Sequence, residues 1–256
     1  MAVVTFTTDF GTADAYAALM KGVVLSLAPD AVLVDVSHAI PRHDVRAGAL
    51  ALAQAAPYFP TGSIHVAVVD PGVGGERAEL VIEAQDRVFI GPDNGVLSAA
   101  TRPPRNAFRI ENQLFRREPC SATFHGRDVF AVAAGRIASG MPPCQAGQKS
   151  DAIVTLDFAP SGPLGDGARG VVAQVDHFGN LITSFSESSV VGRWWLVCGT
   201  VDVELVAGRT FSDVEVGALV LYAGSSGRME IAVRGGSAAE RLGAQSGSEL
   251  QLWRFA

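Results

Sequence analysis

Through the first half of the chain, short apolar runs alternate with longer segments of helical spacing. Val3–Thr7 is a β-rich run, and Ala13–Ser26 follows with Ala, Leu, Met and Lys at helical intervals. The Pro29-Asp30 turn introduces Ala31–Val36, a buried-strand pattern, before the Ala/Leu-rich helical stretch Arg46–Ala56. Ile64–Val69 is another apolar strand, and Leu80–Glu83 and Val88–Ile90 form a strand pair about Gln85-Asp86. Val96–Ala100 and Val129–Ile137 read as helices. Strands that are apolar throughout, alternating with helices, predict an α/β fold: a mostly parallel sheet flanked by helices on both faces.

The pattern changes near Ala159, where Ala159-Pro-Ser-Gly-Pro-Leu-Gly-Asp-Gly has the composition of a linker. Beyond it lie short strand-like runs separated by glycine-rich turns: Gly170–Val175, Leu181–Thr183, Trp194–Val197, Val201–Val206, Ala218–Leu221, Met229–Val233 and Leu250–Trp253. Such runs without long helices predict a small β-barrel or sandwich. The expected organisation is an α/β domain over 1–157, a linker over 158–167 and a smaller C-terminal β-barrel over 168–256.

Composition narrows the function classes. The 256 residues are 48% hydrophobic and 18% charged, enough apolar surface for a core and too little charge for a disordered chain. A net charge of −6 gives no overall basic footprint for nucleic acid. No apolar run approaches the roughly 20 residues of a membrane span, and the start, Met-Ala-Val-Val-Thr-Phe, reads as a strand and not as a signal peptide. Cys120, Cys144 and Cys198 are odd in number and widely spaced, which points to reduced thiols and a cytoplasmic location.

In open parallel sheets ligands bind beyond the carboxyl ends of the strands, and several polar clusters fall there. They are Thr7-Thr8-Asp9-Phe10-Gly11, Asp70-Pro71-Gly72-Val73-Gly74-Gly75-Glu76-Arg77 and Gly91-Pro92-Asp93-Asn94-Gly95; Phe124-His125-Gly126-Arg127-Asp128 precedes a helix. In the second domain Asp176-His177-Phe178-Gly179-Asn180 and Gly224-Ser225-Ser226-Gly227-Arg228 interrupt strands. Taken singly, each also reads as ordinary turn chemistry. The Gly72–Gly75 run lacks a nucleotide phosphate-loop pattern. His65 sits inside a strand pattern and reads as packing, whereas His38 and His43 flank Pro41 without a partner at metal-like spacing, so no metal site is expected. Trp194-Trp195 reads as barrel core or interface.

As an ordered series these motifs resemble a known family. The series is Thr7-Thr8-Asp9-Phe10-Gly11, Asp14 and Tyr16, Asp35-Val36-Ser37-His38, Ile40-Pro41, Val68-Val69-Asp70-Pro71-Gly72-Val73-Gly74, Arg77, Gly91–Gly95, Thr123–Asp128 and Asp176–Thr183. It is similar to the S-adenosylmethionine hydroxide adenosyltransferases (SAM hydrolases), relatives of the fluorinases and chlorinases, over nearly the whole chain. The resemblance implies an α/β domain followed by a β-barrel, and a homotrimer binding substrate between the N-domain of one subunit and the C-domain of the next. It implies hydrolysis of S-adenosylmethionine to adenosine and L-methionine, with no cofactor besides this substrate and no nucleic-acid or membrane partner. The family's carboxylate, arginine and histidine triad falls on Asp70, Arg77 and His125.

Further site residues follow from the same resemblance. Asp9 matches the ribose-binding aspartate, and Asp14 and Asp176 match acidic positions near the ribose and methionine ends. Phe178 and Asn180 match positions that stack on and hydrogen-bond the adenine, and Asn94 falls among the substrate contacts. Ser225 and Ser226 match a pair that holds the methionine carboxylate; the halogenases carry Ser-Arg there, and Arg228 is a candidate for that cation. Fluorinase resembles the chain but has Tyr-Ser in place of His125-Gly126, a Trp in place of His43, and no Asp-Pro-Gly-Val-Gly loop. These departures favour hydrolysis, with a chlorinase or a catalytically weak S-adenosylmethionine-binding protein as the alternatives.

Overall fold

The computed structural model describes residues 1–158, 166–186 and 189–255. The chain divides into two compact units, Met1–Leu156 and Asp157–Ala256. Most of the linker composition read from the sequence lies outside the described residues.

The first unit is built on seven strands: β1 (Val3–Thr8), β2 (Val32–Ser37), β3 (Ile64–Val68), β4 (Glu79–Ala84), β5 (Arg87–Pro92), β6 (Arg105–Arg109) and β7 (Lys149–Ser150). They form one sheet in the order β2-β1-β3-β5-β4-β6-β7. The half containing β2, β1, β3 and β5 is parallel, whereas β4, β6 and β7 add antiparallel strands. The hairpin expected about Gln85-Asp86 starts this antiparallel half; both residues take positive φ, as the tight turn requires. The sheet is therefore mixed, with its parallel character confined to one half.

Both faces of β1, β3 and β5 are largely buried, which explains their continuous apolar sequence, whereas β2, expected from its sequence to be a buried strand, lies at the sheet edge and has no fully buried residue. Val4, Phe6, Val66 and Val68 face a core shared with α1 (Tyr16–Leu27) and α3 (Ala131–Ala138). Ala67, Val69, Ile82 and Phe89 face the opposite core, to which α2 (Val45–Ala55) contributes Leu52. Asp44 caps α2 by accepting the Ala47 N–H at 2.8 Å. Val96–Ala100, expected to be helical, forms a run of turns whose Val96 and Leu97 are buried. Five residues ahead of Pro103-Pro104 are too few to offset helix nucleation. The helix expected over Val129–Ile137 is α3 preceded by a π-turn, Gly126–Phe130.

The second unit is a closed barrel, β10-β11-β12-β13-β9-β8-β14. Its strands are β8 (Gly167–Val175), β9 (Leu181–Ser186), β10 (Arg193–Cys198), β11 (Val201–Ala207), β12 (Leu219–Ala223), β13 (Arg228–Val233) and β14 (Glu249–Arg254). β14 pairs with β10 and β8, which closes the ring and removes free edges. Trp194 is buried in the barrel core and Trp195 packs edge-on against Phe255. A short helix absent from the sequence reading, α4 (Ala238–Leu242), is capped by Ser237 and stopped by Gly243 in the left-handed region.

His65 in β3 is fully buried, bonded through Nδ1 to Thr5 Oγ1 at 2.8 Å and stacked on Phe89, while its Nε2 has no partner among the described residues. Burial, followed by the nearby Arg87 cation, lowers its pKa from 6.5 to about 4. The unfolded chain thus binds a proton near pH 6.5 that the folded chain refuses, and stability falls as the pH drops from 6.5 towards 4. Denaturant unfolding at pH 7, 6, 5 and 4 is expected to show a loss from this group approaching roughly 1.4 kcal/mol per pH unit. The steepening should be absent from His65→Leu.

Candidate active site

The parallel half of the sheet aligns the carboxyl ends of β1, β2, β3 and β5 along one edge, so the segments after them share that side. Asp9 follows β1, His38 follows β2, Asp70 follows β3 and Asn94 follows β5.

The loop from Asp70 to Arg77 turns back on itself. Arg77 donates from Nε to both Asp70 oxygens at 3.1 and 3.0 Å, and from Nη2 to Asp70 Oδ2 at 2.6 Å. The same Nη2 lies 2.9 Å from His125 Nδ1, at the head of the π-turn. Asp70, Arg77 and His125, drawn from separated positions in the sequence, therefore meet. Two glycines allow it. Gly74 has φ +77°, and a Cβ there would lie 2.5 Å from the Ala122 carbonyl, so the loop touches the segment before His125 only as glycine. A Cβ on Gly126 would press on Met20, Phe10 and Phe124, each at 3.2 Å.

The cluster is larger than the triad. Glu79, the first residue of β4, accepts from Arg77 Nη1 at 2.8 Å and from Arg116 Nη2 at 2.6 Å, and its Oε1 lies 3.0 Å from His125 Nδ1. Arg77 also lies over the Phe130 ring, 5.7 Å from its centroid. Burial disfavours the Arg77 charge, but the bonds and field of Asp70, then Glu79, outweigh it and raise its pKa. Burial, then Arg77, holds the His125 imidazole below its ordinary value, with Glu79 opposing. His125 Nε2 has no protein hydrogen bond among the described residues. Within the π-turn, Asp128 is fully buried and accepts the Ser121 N–H at 2.9 Å and two donors of Arg127, Nε and Nη2, each at 2.7 Å, fixing the segment that carries His125.

Other expected site residues are placed as follows. Asp9 uses Oδ2 to accept the His43 N–H at 2.9 Å. Asp14 is exposed in the bend before α1. Asn94 spends its side chain locally: Nδ2 donates to the Val69 carbonyl at 2.8 Å and Oδ1 accepts from Val96 N–H at 3.1 Å, which steadies the residue before Asp70. His38, for which no partner at metal-like spacing was expected, is held by Thr8 Oγ1 at 2.8 Å and Asp35 Oδ1 at 2.9 Å, with Lys21 on the other Asp35 oxygen. No cluster of three or more potential metal ligands occurs among the described residues.

In the barrel, Asp176 organises the β8–β9 turn: Oδ1 accepts from Phe178 N–H at 2.9 Å and Asn180 N–H at 2.8 Å, and Oδ2 from Asn180 Nδ2 at 2.8 Å. That turn leaves Phe178 76% exposed. Ser225 and Ser226 form the β12–β13 turn; Ser225 is exposed, and the Ser226 hydroxyl is buried without a partner among the described residues. Next to this turn Tyr222 donates to Glu230 at 2.5 Å, a buried pair that the sequence did not reveal. Burial and Glu230 push the Tyr222 phenol far up, so it remains a donor.

The profile of the SAM hydroxide adenosyltransferase N-terminal domain matches residues 4–147, and that of the C-terminal domain matches residues 170–251. The chain belongs to the SAM hydroxide adenosyltransferase family. Within the family it is 42% identical to the (R)-S-adenosyl-L-methionine hydrolase of Thermus thermophilus, over 98% of this chain and all of that one. It is 40% identical to the enzyme of the same name from Salinispora tropica, over 97% of each. A fluorinase from Actinoplanes is more distant, 26% identical over 90% of each. Among solved structures, an uncharacterized conserved protein from Thermotoga maritima superposes with a TM-score of 0.90 at 28% identity, covering 99% of this chain and all of that one.

Glu79 and Arg116 were missed because neither lies in a motif; Glu79 reads as the polar start of a strand and Arg116 as loop charge. The one available signal was position, since Glu79 stands two residues from Arg77, at the foot of the next strand. The close contact at Gly74 makes a direct test. Gly74→Ala is expected to cost roughly 1–3 kcal/mol of stability from the left-handed backbone and the Ala122 clash. It should also lower turnover, as His125 and Arg77 are pushed apart. Denaturant titration and product formation read the two effects.

Proposed function

We propose that the chain hydrolyses S-adenosylmethionine to adenosine and L-methionine, with Asp70, Arg77 and His125 acting on the water that attacks ribose C5′. The observation that carries this reading is the buried Arg77 guanidinium, shared by Asp70 and His125, beside an imidazole whose Nε2 is uncommitted.

The chemistry asks for such a group. The C5′–S bond breaks with its electron pair going to sulfur, and the sulfonium leaves as a neutral thioether, so no acid is required. A new O–C5′ bond forms from water, which must lose a proton. His125 Nε2 takes that proton, and Arg77 stabilises the negative charge growing on oxygen. Asp70 holds Arg77 in place. Alignment of water behind C5′ contributes several kcal/mol, and a dry site favours the step because the substrate's positive charge disappears. No cofactor takes part.

The remaining assignments belong to the same reading. Asp9 holds the ribose hydroxyls with the oxygen that His43 leaves free, and the exposed Asp14 serves the ribose end. Phe178, exposed on its turn, offers a face for the adenine, and Asn180 hydrogen-bonds it. Asp176 and the Ser226 hydroxyl, which has no partner among the described residues, serve the methionine end with Ser225. Asn94 acts through the loop that it pins. We infer a cytoplasmic homotrimer with each substrate held between the first unit of one subunit and the barrel of the next; no helix among the described residues is long and apolar enough to cross a membrane.

Incubation of the purified chain with S-adenosylmethionine, with and without chloride, should yield adenosine and methionine in both. Chlorinated adenosine would assign a halogenase, and bound but unchanged substrate a binding protein. His125→Ala should lower kcat by about 10²–10⁴ with little change in KM. Asp9→Asn keeps an acceptor for His43 and should chiefly raise KM. Because the His125 pKa lies below its ordinary 6.5 and the neutral ring is the working form, activity should persist below pH 6.5 before it declines. Sedimentation equilibrium should give three times the chain mass; a fully active monomer would contradict shared sites.

A further inference from the structure

We propose that Glu79 is the positioning residue of His125: its carboxylate selects the ring form that carries hydrogen on Nδ1 and leaves the Nε2 lone pair for the proton of the attacking water. The proposal rests on the hydrolytic reading above and assigns to Glu79 the orienting part that Asp70 plays in the simple triad.

Two neighbours compete for Nδ1. Arg77 Nη2 stands at 2.9 Å in hydrogen-bond geometry and can only donate; Glu79 Oε1 stands at 3.0 Å as an ion-pair contact and can only accept, so a hydrogen bond to it requires the ring to turn towards Glu79. If Nδ1 accepts from Arg77, the ring hydrogen sits on Nε2, which presents a donor where a base is required. Should that ring become an imidazolium, Nδ1–H would face the Arg77 cation. If Nδ1–H points to Glu79, Nε2 is an open acceptor, and proton uptake there places a cation against a carboxylate. Only the second form improves as the reaction proceeds.

Asp70 cannot fill this part, since its oxygens are committed to Arg77 and it makes no hydrogen bond to His125. Glu79, by contrast, is fixed from three sides. Its backbone belongs to β4, opposite Pro92 of β5; Arg77 holds Oε1 and Arg116 holds Oε2. Arg116 is itself anchored on the Ile110 carbonyl at 3.2 and 3.3 Å. The charged groups acting on His125 are thus Arg77 and Asp70 from the loop after β3, Glu79 from β4, and Arg116 from the segment after β6.

The test uses the full chain in two ways. In protein labelled with ¹⁵N-histidine, two-bond ¹H–¹⁵N correlations read the His125 ring form above its titration, with His125→Asn supplying the assignment. Hydrogen on Nδ1 is expected; hydrogen on Nε2 overturns the proposal. In Glu79→Gln, the acidic limb of the kcat profile should move to lower pH by roughly half a unit or more, because the charge that raises the ring's basicity is gone. Its kcat at pH 8 should fall about tenfold or more while KM for S-adenosylmethionine stays within about twofold. A loss of kcat with an unmoved limb would reduce Glu79 to a structural support and overturn the proposal. If Glu79→Gln does not fold, the ring form of the unmodified chain decides alone. Absence of adenosine from the unmodified chain would instead sink the hydrolytic reading, and the ring measurement would still stand by itself.

Discussion

Arg77 is held by two carboxylates and touches an imidazole, and most of the first unit's local structure serves that arrangement. A buried guanidinium is costly unless its donors are satisfied by charge. Asp70 and Glu79 supply that charge from the end of β3 and the start of β4. Arg116 then offsets the second carboxylate, so the group alternates in sign. With the charges balanced, the one neutral titratable member, His125, is left poised by burial on one side and Glu79 on the other. Its basicity is therefore a property of the whole cluster, and no single partner sets it.

Much of the fold was legible because its strands are buried on both faces. Val3–Thr7, Ile64–Val69 and Val88–Ile90 had few alternatives to a covered sheet, and the observed strands begin and end within a few residues of them. The barrel strands were legible for a different reason: glycine-rich turns punctuate runs too short for helices. What escaped was local. Strand β6, Arg-Asn-Ala-Phe-Arg, lies between β4 and the two-residue edge strand β7, buries only Ala107 fully and shows no apolar run. α4 is a single turn whose Ser237, Glu240 and Gly243 are visible capping signals, but its length is below what periodicity resolves. The π-turn before α3 leaves no trace in the apolar pattern, because its Val129 and Phe130 fit an ordinary helix equally well.

The site was half legible. Motif order brought Asp70, Arg77 and His125 to attention, and the structure gathers them at hydrogen-bond distance. Order along the chain says nothing of which carboxylate faces which base; the one within 3.0 Å of His125 Nδ1 is Glu79. Asn94, expected among the substrate contacts, has its amide engaged by Val69 and Val96, a local role that its place at a strand end does not announce. His38 looked solitary in sequence and is instead locked to Asp35 three residues away.

The loop bearing Asp70 and Arg77 leaves the sheet at β3 and re-enters at β4, with β5 lying between those two strands. It is an arch over a finished floor. Strand pairing does not depend on it, and its own course is constrained where Gly74 meets Ala122, while Asp9 sits on the separate segment after β1. A fold so divided can remodel its arch while the segments after its other strands keep their places.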